Sequence, residues 1–351
     1  MALFFIENVG IEGVAASVPK QTADNLSLDL LTEKERELFV KTVGIRYRRI
    51  STQGITAADL CFKAALKILK ETNTLQSEIS GLIFVTQTPD YLIPNTASIL
   101  QHKLGLSKSC IAFDVNLGCS GYVYGLSLAA GFASRIEGGK ILLLVGDVST
   151  KVISQRDKSV VPLFSDAGSA TIVSYKQGNN FYFNLQTDGA EYDDIIIRDG
   201  GLRNATNAES FIEEEEEPGI FRNNLHMKLN GIRIFNFALR EVVPNIRSLY
   251  EKYNLNLHET DYIFFHQANK LMLESVRKKL NVEAKKVPYS LYNYGNTSSA
   301  TIPLTMVVNT RKELSENKNH LLLCGFGVGL SWGSVFLETK NIYIPELIEV
   351  E

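Results

Sequence analysis

One cysteine stands where a strand pattern turns into a helix pattern. Cys119 follows the apolar stretch from Cys110 to Val115 across a glycine turn, and a helical pattern at 120–135 begins beside it. The first turn of a helix presents unpaired N–H groups and the positive end of the helix dipole, and both favour thiolate over thiol. We therefore expect the pKa of Cys119 to be lowered and its sulfur to be a nucleophile. The alternative is a buried, inert cysteine, which is common among free cysteines.

Three further motifs follow predicted strands in the second half of the chain, at the strand ends where α/β sheets bind ligands. His266 comes directly after an apolar strand at 262–265, and Asn296 lies in a glycine turn ahead of a predicted helix. The third motif, CGFGVGLSWG at 324–333, contains four glycines and lets a backbone N–H approach a reacting group. Each motif alone has an ordinary structural explanation, but with Cys119 they form a Cys-His-Asn set suited to nucleophilic catalysis.

Alternating strand and helix patterns must position these residues. The chain opens with a strand or hairpin at 3–15. A charged, helix-like segment follows at 28–49, and its three arginines favour a solvated basic turn over a phosphate site. The first half continues with strands at 82–85, 110–115, 140–145 and 170–175 and helices at 55–70, 95–104 and 120–135. The second half has helices at 232–250, 270–280 and 297–314 and strands at 262–265, 320–324 and 331–337. Such alternation is typical of an α/β fold.

The order of elements in the second half repeats that of the first. Corresponding pieces are separated by a nearly constant distance, 180 residues from Leu82 to Tyr262. We therefore predict an internal duplication, with one half at 1–176 carrying the cysteine and another at 177–351 carrying the histidine and the asparagine. Two similar α/β halves commonly place a site at their junction.

Between the repeated elements the chain is less regular, with an acidic stretch around 200–228. It contains five adjacent glutamates, Glu213 to Glu217. Because these carboxylates would repel one another in any buried element, we expect an exposed, irregular acidic loop.

Composition excludes several classes of protein. With 351 residues, 45% of them apolar, the chain can form a full core, and a net charge of −3 gives no basic surface for nucleic acid. Four widely spaced cysteines without a C-x-x-C pair fit neither a zinc site nor a disulfide framework, which indicates a reducing compartment. The N-terminus lacks a basic signal-peptide region, and no run of 18 apolar residues occurs. We expect a cytoplasmic protein with no metal and no membrane association.

Taken together, these motifs resemble the β-ketoacyl-acyl-carrier-protein synthase III family, of thiolase fold. The resemblance spans nearly the whole chain and rests on GCSG at 118–121, HQAN at 266–269, GNTSSA at 295–300, GFGVGLSWG at 325–333, VGIR at 43–46 and FSDAG at 164–168. It implies an α/β, thiolase-like duplicated fold in α-β-α-β-α layers, and a homodimer.

The resemblance also implies a reaction, a decarboxylative Claisen condensation. Cys119 would take an acyl group from a thioester, and the backbone N–H groups of Cys119 and Val328 would form the oxyanion hole. His266 and Asn296 would then bind the carbonyl oxygen of malonyl-acyl-carrier protein and stabilise the enolate that forms when CO₂ leaves. The product would be a 3-oxoacyl thioester, and no metal or redox cofactor is required.

Further roles follow from the resemblance alone. Phe39 would stack on coenzyme A, and Ile93 would set the depth of the acyl pocket across the dimer interface. Lys270 would dock the acyl-carrier protein. The acyl donor would be an acyl-CoA or an acyl-carrier-protein thioester. The remaining substrate-binding residues implied are Asn269, Phe326, Gly327 and Gly329.

Two other readings of the site stay open. Papain-like hydrolases also use Cys, His and Asn, and 147 residues separate Cys119 from His266, but their C-G-[SA]-C-[WY] signature is absent here. An acyltransferase of the same fold could instead pass the acyl group from Cys119 to a hydroxyl or amine without decarboxylation. The paired His266 and Asn296 favour condensation.

Overall fold

The computed structural model describes residues 2–136 and 138–351. The strands are β1 (Ala2–Pro19), β2 (Thr22–Asp24), β3 (Tyr47–Arg49), β4 (Ile79–Val85), β5 (Ile111–Val115), β6 (Lys140–Asp147), β7 (Ala167–Thr187), β8 (Ile195–Ile196), β9 (Glu214–Glu217), β10 (Ile220–Arg222), β11 (Lys228–Leu229), β12 (Tyr262–Phe265), β13 (Lys318–Gly327), β14 (Ser331–Lys340) and β15 (Ile348–Val350). The helices are α1 (Glu33–Val43), α2 (Ala57–Glu71), α3 (Thr96–Lys103), α4 (Gly121–Ala133), α5 (Gly231–Lys252), α6 (Lys270–Leu280), α7 (Leu291–Tyr294), α8 (Thr301–Asn309) and α9 (Arg311–Glu316). None of the helices in these two ranges is both long and apolar enough to cross a lipid bilayer.

A mixed sheet runs through the chain in the order β12-β13-β14-β7-β6-β4-β5, with β1 and β15 attached beside it. Its two ends repeat one arrangement. β4 pairs parallel with β6 and β6 antiparallel with β7, just as β12 pairs parallel with β13 and β13 antiparallel with β14. The long β7 serves both ends, because its first part pairs with β6 and residues 181–187 pair with β14. The expected division at 176/177 therefore falls inside a continuous strand.

Alternation along the buried strands assigns the helices to layers. Successive side chains of a strand point to opposite faces of the sheet. In β4, Ile83 packs into a central layer with α4 and α8, and Phe84 packs against α2 and α3. In β12, Phe264 enters the same central layer, and Phe265 packs against α5 and α6. Because β4 and β12, near opposite ends of the sheet, both face this central helix layer, the sheet supplies both β layers of the expected five-layer α-β-α-β-α arrangement.

Most predicted elements are present, and the differences have local causes. The strand at 262–265 and the helix at 270–280 have the expected bounds. The strand predicted at 170–175 extends over all of β7, because each part of it finds its own partner strands. The helix predicted at 297–314 is divided into a 3-10 turn, α8 and α9. The break lies at Thr310, a β-branched residue with a non-helical φ of −133°.

The acidic stretch expected as an irregular loop at 200–228 contains a short hairpin of β9 and β10. All four β9 residues are exposed, as expected, but they form a strand and not an irregular loop. Cations on neighbouring segments offset the repulsion between carboxylates. Glu216 pairs with Arg222 at 3.2 Å and with Lys228 at 2.7 Å.

The hairpin is tied to the core by a buried ion pair, which gives a stability prediction. Arg222 Nε lies 3.3 Å from Asp157 Oδ2, and both side chains are buried. Arg222→Met would leave the Asp157 carboxylate buried without its cation, so we expect a loss of roughly 3 kcal/mol in the free energy of urea unfolding. Arg156→Met is the matched control, because its ion pair with Glu213 is exposed and such pairs contribute about 1 kcal/mol or less. Equal unfolding midpoints for both variants would contradict the assignment.

Candidate active site

Cys119 lies in the turn between β5 and α4, two residues before the helix begins at Gly121. The Gly121 N–H closes this turn by donating to the Gly118 carbonyl oxygen at 2.7 Å. Gly327, at the end of β13, lies directly against the cysteine. A Cβ at position 327 would be 2.6 Å from Cys119 Cβ and 2.8 Å from its Sγ. Only glycine permits this approach of the β13 end to the thiol.

The pKa of the cysteine is shifted opposite to the expected direction. Burial raises the pKa of the Cys119 thiol to about 11, and the nearby Asp147 carboxylate adds to the effect. Hydrogen bonding from the Val328 N–H, the N–H of Cys119 itself and the Ser298 side chain favours the thiolate, but does not outweigh the loss of water. The prediction of a lowered pKa was therefore wrong for the unliganded chain.

This raised pKa predicts how the thiol should react with a small electrophile. Alkylation of Cys119 by iodoacetamide should accelerate by about tenfold per pH unit between pH 7 and 10, because the thiolate fraction rises toward a pKa of about 11. Mass spectrometry of proteolytic peptides would measure the alkylation rate of Cys119 separately from that of the partly exposed Cys110. A rate that levels off near pH 7 would indicate a lowered pKa and contradict the result.

His266 follows β12 and is held from both sides. Its backbone N–H donates to the Cys324 carbonyl oxygen at 2.8 Å, and its Nδ1 lies 2.8 Å from Thr301 Oγ1. Phe326 packs edge-on against the ring, with the centroids 5.6 Å apart. Burial lowers the pKa of His266 to about 3, although hydrogen bonding to the Ser298 backbone opposes the shift. The imidazole is therefore neutral at physiological pH.

Asn296 follows Gly295, whose positive φ of 60° turns the chain into the site. The Asn296 N–H donates to the Leu163 carbonyl oxygen at 3.0 Å, which anchors the turn. Its side-chain Oδ1 accepts a hydrogen bond from the Ser298 N–H at 2.9 Å. Because Oδ1 is engaged, the Nδ2 group is the part of the carboxamide left to donate to a ligand.

Two cavities meet at Cys119, which lines both. The larger has a volume of about 290 Å³ and extends past Val328. The smaller has a volume of about 80 Å³ and is lined by His266 and Asn296. The thiol thus lies between a cavity lined by Val328 and a cavity lined by two neutral side chains, His266 and Asn296.

Other predicted binding residues reach the smaller cavity. Asn269, Phe326 and Gly327 line it. The Oδ1 of Asn269 also caps α6 by accepting from the Met272 N–H at 2.8 Å, so only its Nδ2 remains to donate. Gly329 lines neither cavity and forms the bend between β13 and β14.

Three predicted residues line neither cavity of this chain. Phe39 is half-buried and packs against the cluster around α5 and α6, because α1 turns this face inward. Ile93 is 89% exposed, in the loop that leaves β4. Lys270 is exposed at the start of α6, where its side chain lies beside Gly44.

The structure also shows lining residues that the sequence analysis missed. Gln87 and Asn116 line the larger cavity. Gln87 comes two residues after the end of β4, and Asn116 comes directly after β5. The rule that ligands bind at the ends of parallel strands could therefore have found both. Phe164 and Ile195 line both cavities. Ile195 stands in a two-residue strand of the irregular middle, where no periodic signal exists.

Comparison with known proteins identifies the family of this chain. Models for 3-oxoacyl-[acyl-carrier-protein] synthase III and for its C-terminal region match residues 113–189 and 250–339. A putative 3-oxoacyl-[acyl-carrier-protein] synthase 3 of Campylobacter jejuni is 32% identical over 96% of both chains. The β-ketoacyl-[acyl-carrier-protein] synthase III of Clostridium acetobutylicum is 32% identical over 95% of this chain and 99% of that protein. A crystal structure of 3-oxoacyl-(acyl-carrier protein) synthase from Burkholderia xenovorans has a TM-score of 0.93 and 34% identity, covering 99% of each chain. The chain belongs to the 3-oxoacyl-[acyl-carrier-protein] synthase III family of condensing enzymes, with their thiolase fold.

Proposed function

We propose that Cys119 carries the acyl group of a decarboxylative condensation and that His266 and Asn296 stabilise its enolate. The observation that supports this most is that the thiol, two backbone N–H groups, a neutral imidazole and a free amide N–H₂ converge on adjoining cavities. The imidazole has the neutral state that its step requires, because burial lowers the pKa of His266 to about 3.

In the first step the Cys119 thiolate attacks the carbonyl carbon of an acyl thioester. The negative charge moves to the carbonyl oxygen, where the N–H groups of Cys119 and Val328 receive it. Collapse of this intermediate breaks the donor's C–S bond and releases the donor as its thiolate, which takes up the proton lost from the Cys119 thiol, leaving acyl-Cys119. Because the free thiol has a pKa of about 11, binding of the donor must supply part of the stabilisation of the thiolate.

In the second step a malonyl thioester occupies the smaller cavity, with its thioester oxygen between His266 Nε2 and Asn296 Nδ2. Loss of CO₂ leaves an enolate, and the two neutral donors stabilise its charge without transferring a proton to carbon. The enolate carbon attacks acyl-Cys119, the C–S bond to the enzyme breaks, and a 3-oxoacyl thioester leaves with Cys119 regenerated.

This role requires the proton of neutral His266 to be on Nε2, and Thr301 is placed to decide that. A Thr301 hydroxyl that donates to Nδ1 leaves the proton on Nε2, whereas a hydroxyl that donates to the Ser298 carbonyl, 3.0 Å away, leaves it on Nδ1. Thr301→Val keeps the shape but removes the hydroxyl, so we expect condensation to slow by roughly 5- to 20-fold, with acylation of Cys119 unchanged. Recovery in Thr301→Ser would separate this effect from a packing defect. Equal slowing of both steps would contradict the role.

We further propose a cytoplasmic homodimer that acts on acyl-carrier-protein or acyl-CoA thioesters without a cofactor. β5 pairs with β4 on one side and is an edge strand among the described residues; it carries the exposed Ile111, and the exposed Leu92 and Ile93 lie in the neighbouring loop. An apolar sheet edge of this kind suits pairing with a second copy, from which Ile93 would reach the partner's acyl cavity. Lys270 would contact an acidic carrier protein.

The experiment that tests this function is intact-protein mass spectrometry with a panel of acyl-CoA and acyl-carrier-protein thioesters, followed by malonyl-carrier protein. Wild type should gain one acyl group and lose it on addition of the malonyl thioester, with formation of a 3-oxoacyl product. Cys119→Ala should gain none. An adduct that persists through the chase would instead favour the acyltransferase of the same fold, which needs a hydroxyl or amine acceptor.

A further inference from the structure

Asp147 is a buried carboxylate that the proposed mechanism does not use. It ends β6, is 1% exposed, and lines the larger cavity beside Cys119. Burying an ionised carboxylate costs free energy unless hydrogen bonds satisfy its oxygens. The hydrogen-bond partners of Asp147 therefore indicate which parts of the site it holds.

The two oxygens of Asp147 bind different segments of the chain. Oδ1 accepts hydrogen bonds from the Gln87 N–H at 2.7 Å and from the Thr86 hydroxyl at 3.1 Å, just after β4. Oδ2 accepts from the Ser299 hydroxyl at 2.5 Å and from the Ser299 N–H at 3.2 Å. Because a backbone N–H can only donate, one such donor to each oxygen is the pattern of an ionised carboxylate. Asp147 thus ties the turn that follows Asn296 to the end of β4.

The turn at 296–299 has a backbone conformation that needs support. Ser298 has a φ of 51°, in the left-handed region that residues other than glycine rarely adopt. Such a conformation costs free energy and persists only where the surrounding contacts fix it. The Ser298 N–H is held by Asn296 Oδ1 at 2.9 Å, and the next residue, Ser299, is held by Asp147. We expect the turn to relax when Ser299 is released.

Both side chains proposed to bind the enolate are tied to Ser298. Asn296 accepts the Ser298 N–H on its Oδ1, which leaves its Nδ2 for a ligand. Thr301 Oγ1 lies 2.8 Å from His266 Nδ1 and 3.0 Å from the Ser298 carbonyl oxygen. A change in the backbone at Ser298 would therefore displace both donors together, and misplacement by about 1 Å can cost a hundredfold in rate.

We propose that Asp147 is a positioning residue for condensation, which holds the turn at 296–299 so that His266 and Asn296 converge on one thioester oxygen. It acts through Ser299, the residue of the turn that it binds. The inference rests on the proposed function, since it concerns the two donors assigned there to the enolate.

Asp147 has the opposite effect on the thiol. Its negative charge raises the pKa of Cys119 and so lowers the thiolate fraction at neutral pH. Burial raises the pKa of Asp147 itself, and hydrogen bonds from Ser299 and Gln87 oppose that shift. Removing the charge should therefore speed reactions of the thiol while it slows condensation. General damage to the fold would not give this combination.

The test measures acylation and condensation separately, by single-turnover kinetics, in Asp147→Asn. The amide keeps the size of the carboxylate but places an N–H₂ group against one of the two backbone donors. We expect condensation to slow by about tenfold or more, acylation not to slow, and alkylation of Cys119 by iodoacetamide at pH 8 to accelerate by about threefold. Asp261→Asn is the matched control. Asp261 accepts the His320 N–H at 2.8 Å at the opposite end of β12 from His266, so both steps should keep the wild-type rate.

A double-mutant cycle tests whether Asp147 acts through Ser299. Ser299→Ala removes the hydroxyl donor but keeps the N–H, so it should slow condensation less, by about three- to fivefold. Together, the two substitutions should slow condensation by less than the product of their separate factors. Should Asp147→Asn fail to fold by circular dichroism, Ser299→Ala decides, and a wild-type rate of condensation in that variant would overturn the inference.

The outcomes separate this inference from the proposed function. Unchanged condensation in Asp147→Asn, equal slowing of acylation and condensation, or simple multiplication of the two factors in the double variant would overturn the inference and leave the proposed function intact. If wild type forms no 3-oxoacyl product with any member of the thioester panel, the proposed function is overturned and this inference with it.

Discussion

His266→Ala should slow condensation by about 10²- to 10³-fold while Cys119 is still acylated at nearly the wild-type rate. The imidazole lines only the smaller of the two cavities, with Asn296, and it is neutral because burial lowers its pKa to about 3. Removing one preorganised hydrogen-bond donor to a developing oxyanion typically slows a reaction by this factor. Single-turnover kinetics, with acylation and product formation measured separately, would check it.

The control for this prediction is His258→Ala. His258 is exposed, in a turn before β12, and should leave both steps unchanged. Asn296→Ala should reproduce the loss seen for His266→Ala, because both side chains are proposed to bind the same oxygen. Loss of acylation in His266→Ala, to the same degree as condensation, would instead assign the histidine to activation of the thiol.

Gly327→Ala should lower the rate of Cys119 acylation to about 1% of the wild-type rate or less. The added Cβ would lie 2.6 Å from Cys119 Cβ and 2.8 Å from Sγ, so either the thiol or the end of β13 must move. Such a shift separates the sulfur from the adjacent Val328 N–H, and misplacement by about 1 Å can cost a hundredfold in rate. Acylation would be followed by intact mass.

Gly189→Ala is the matched control for this substitution. No heavy atom lies within 4 Å of a Cβ placed there, so activity and thermal unfolding should not change. A Gly327→Ala variant that is folded by circular dichroism and still acylated normally would show that the thiol is not confined as described.

The sequence analysis could single out a candidate catalytic set because its members lie at recognisable junctions. Cys119, His266 and Asn296 each follow a strand or a glycine turn, and periodicity alone located the strand and helix around the histidine to the residue. The five-layer arrangement was predicted through the family resemblance. The structure supplies its physical basis in the alternation of side chains along β4 and β12.

The sign of the Cys119 pKa shift could not be predicted from local sequence. The turn predicts hydrogen-bond donors near the sulfur, and they are present. The loss of water that outweighs them arises where the end of β13 packs against the thiol, and the charge of Asp147, distant in sequence but near in space, raises the pKa further. Likewise, whether Phe39 faces a ligand or the core depends on how α1 packs near α5 and α6, which its own residues do not determine.

The central claim is that loss of the acyl group from Cys119 is coupled to decarboxylation. It is tested most directly by chasing pre-acylated enzyme with malonyl-carrier protein labelled in its free carboxyl group and counting CO₂ against acyl-Cys119 consumed. We expect one CO₂ and one 3-oxoacyl thioester for each acyl group that leaves Cys119. Acyl loss without release of labelled CO₂ would contradict the account and show that another acceptor takes the acyl group.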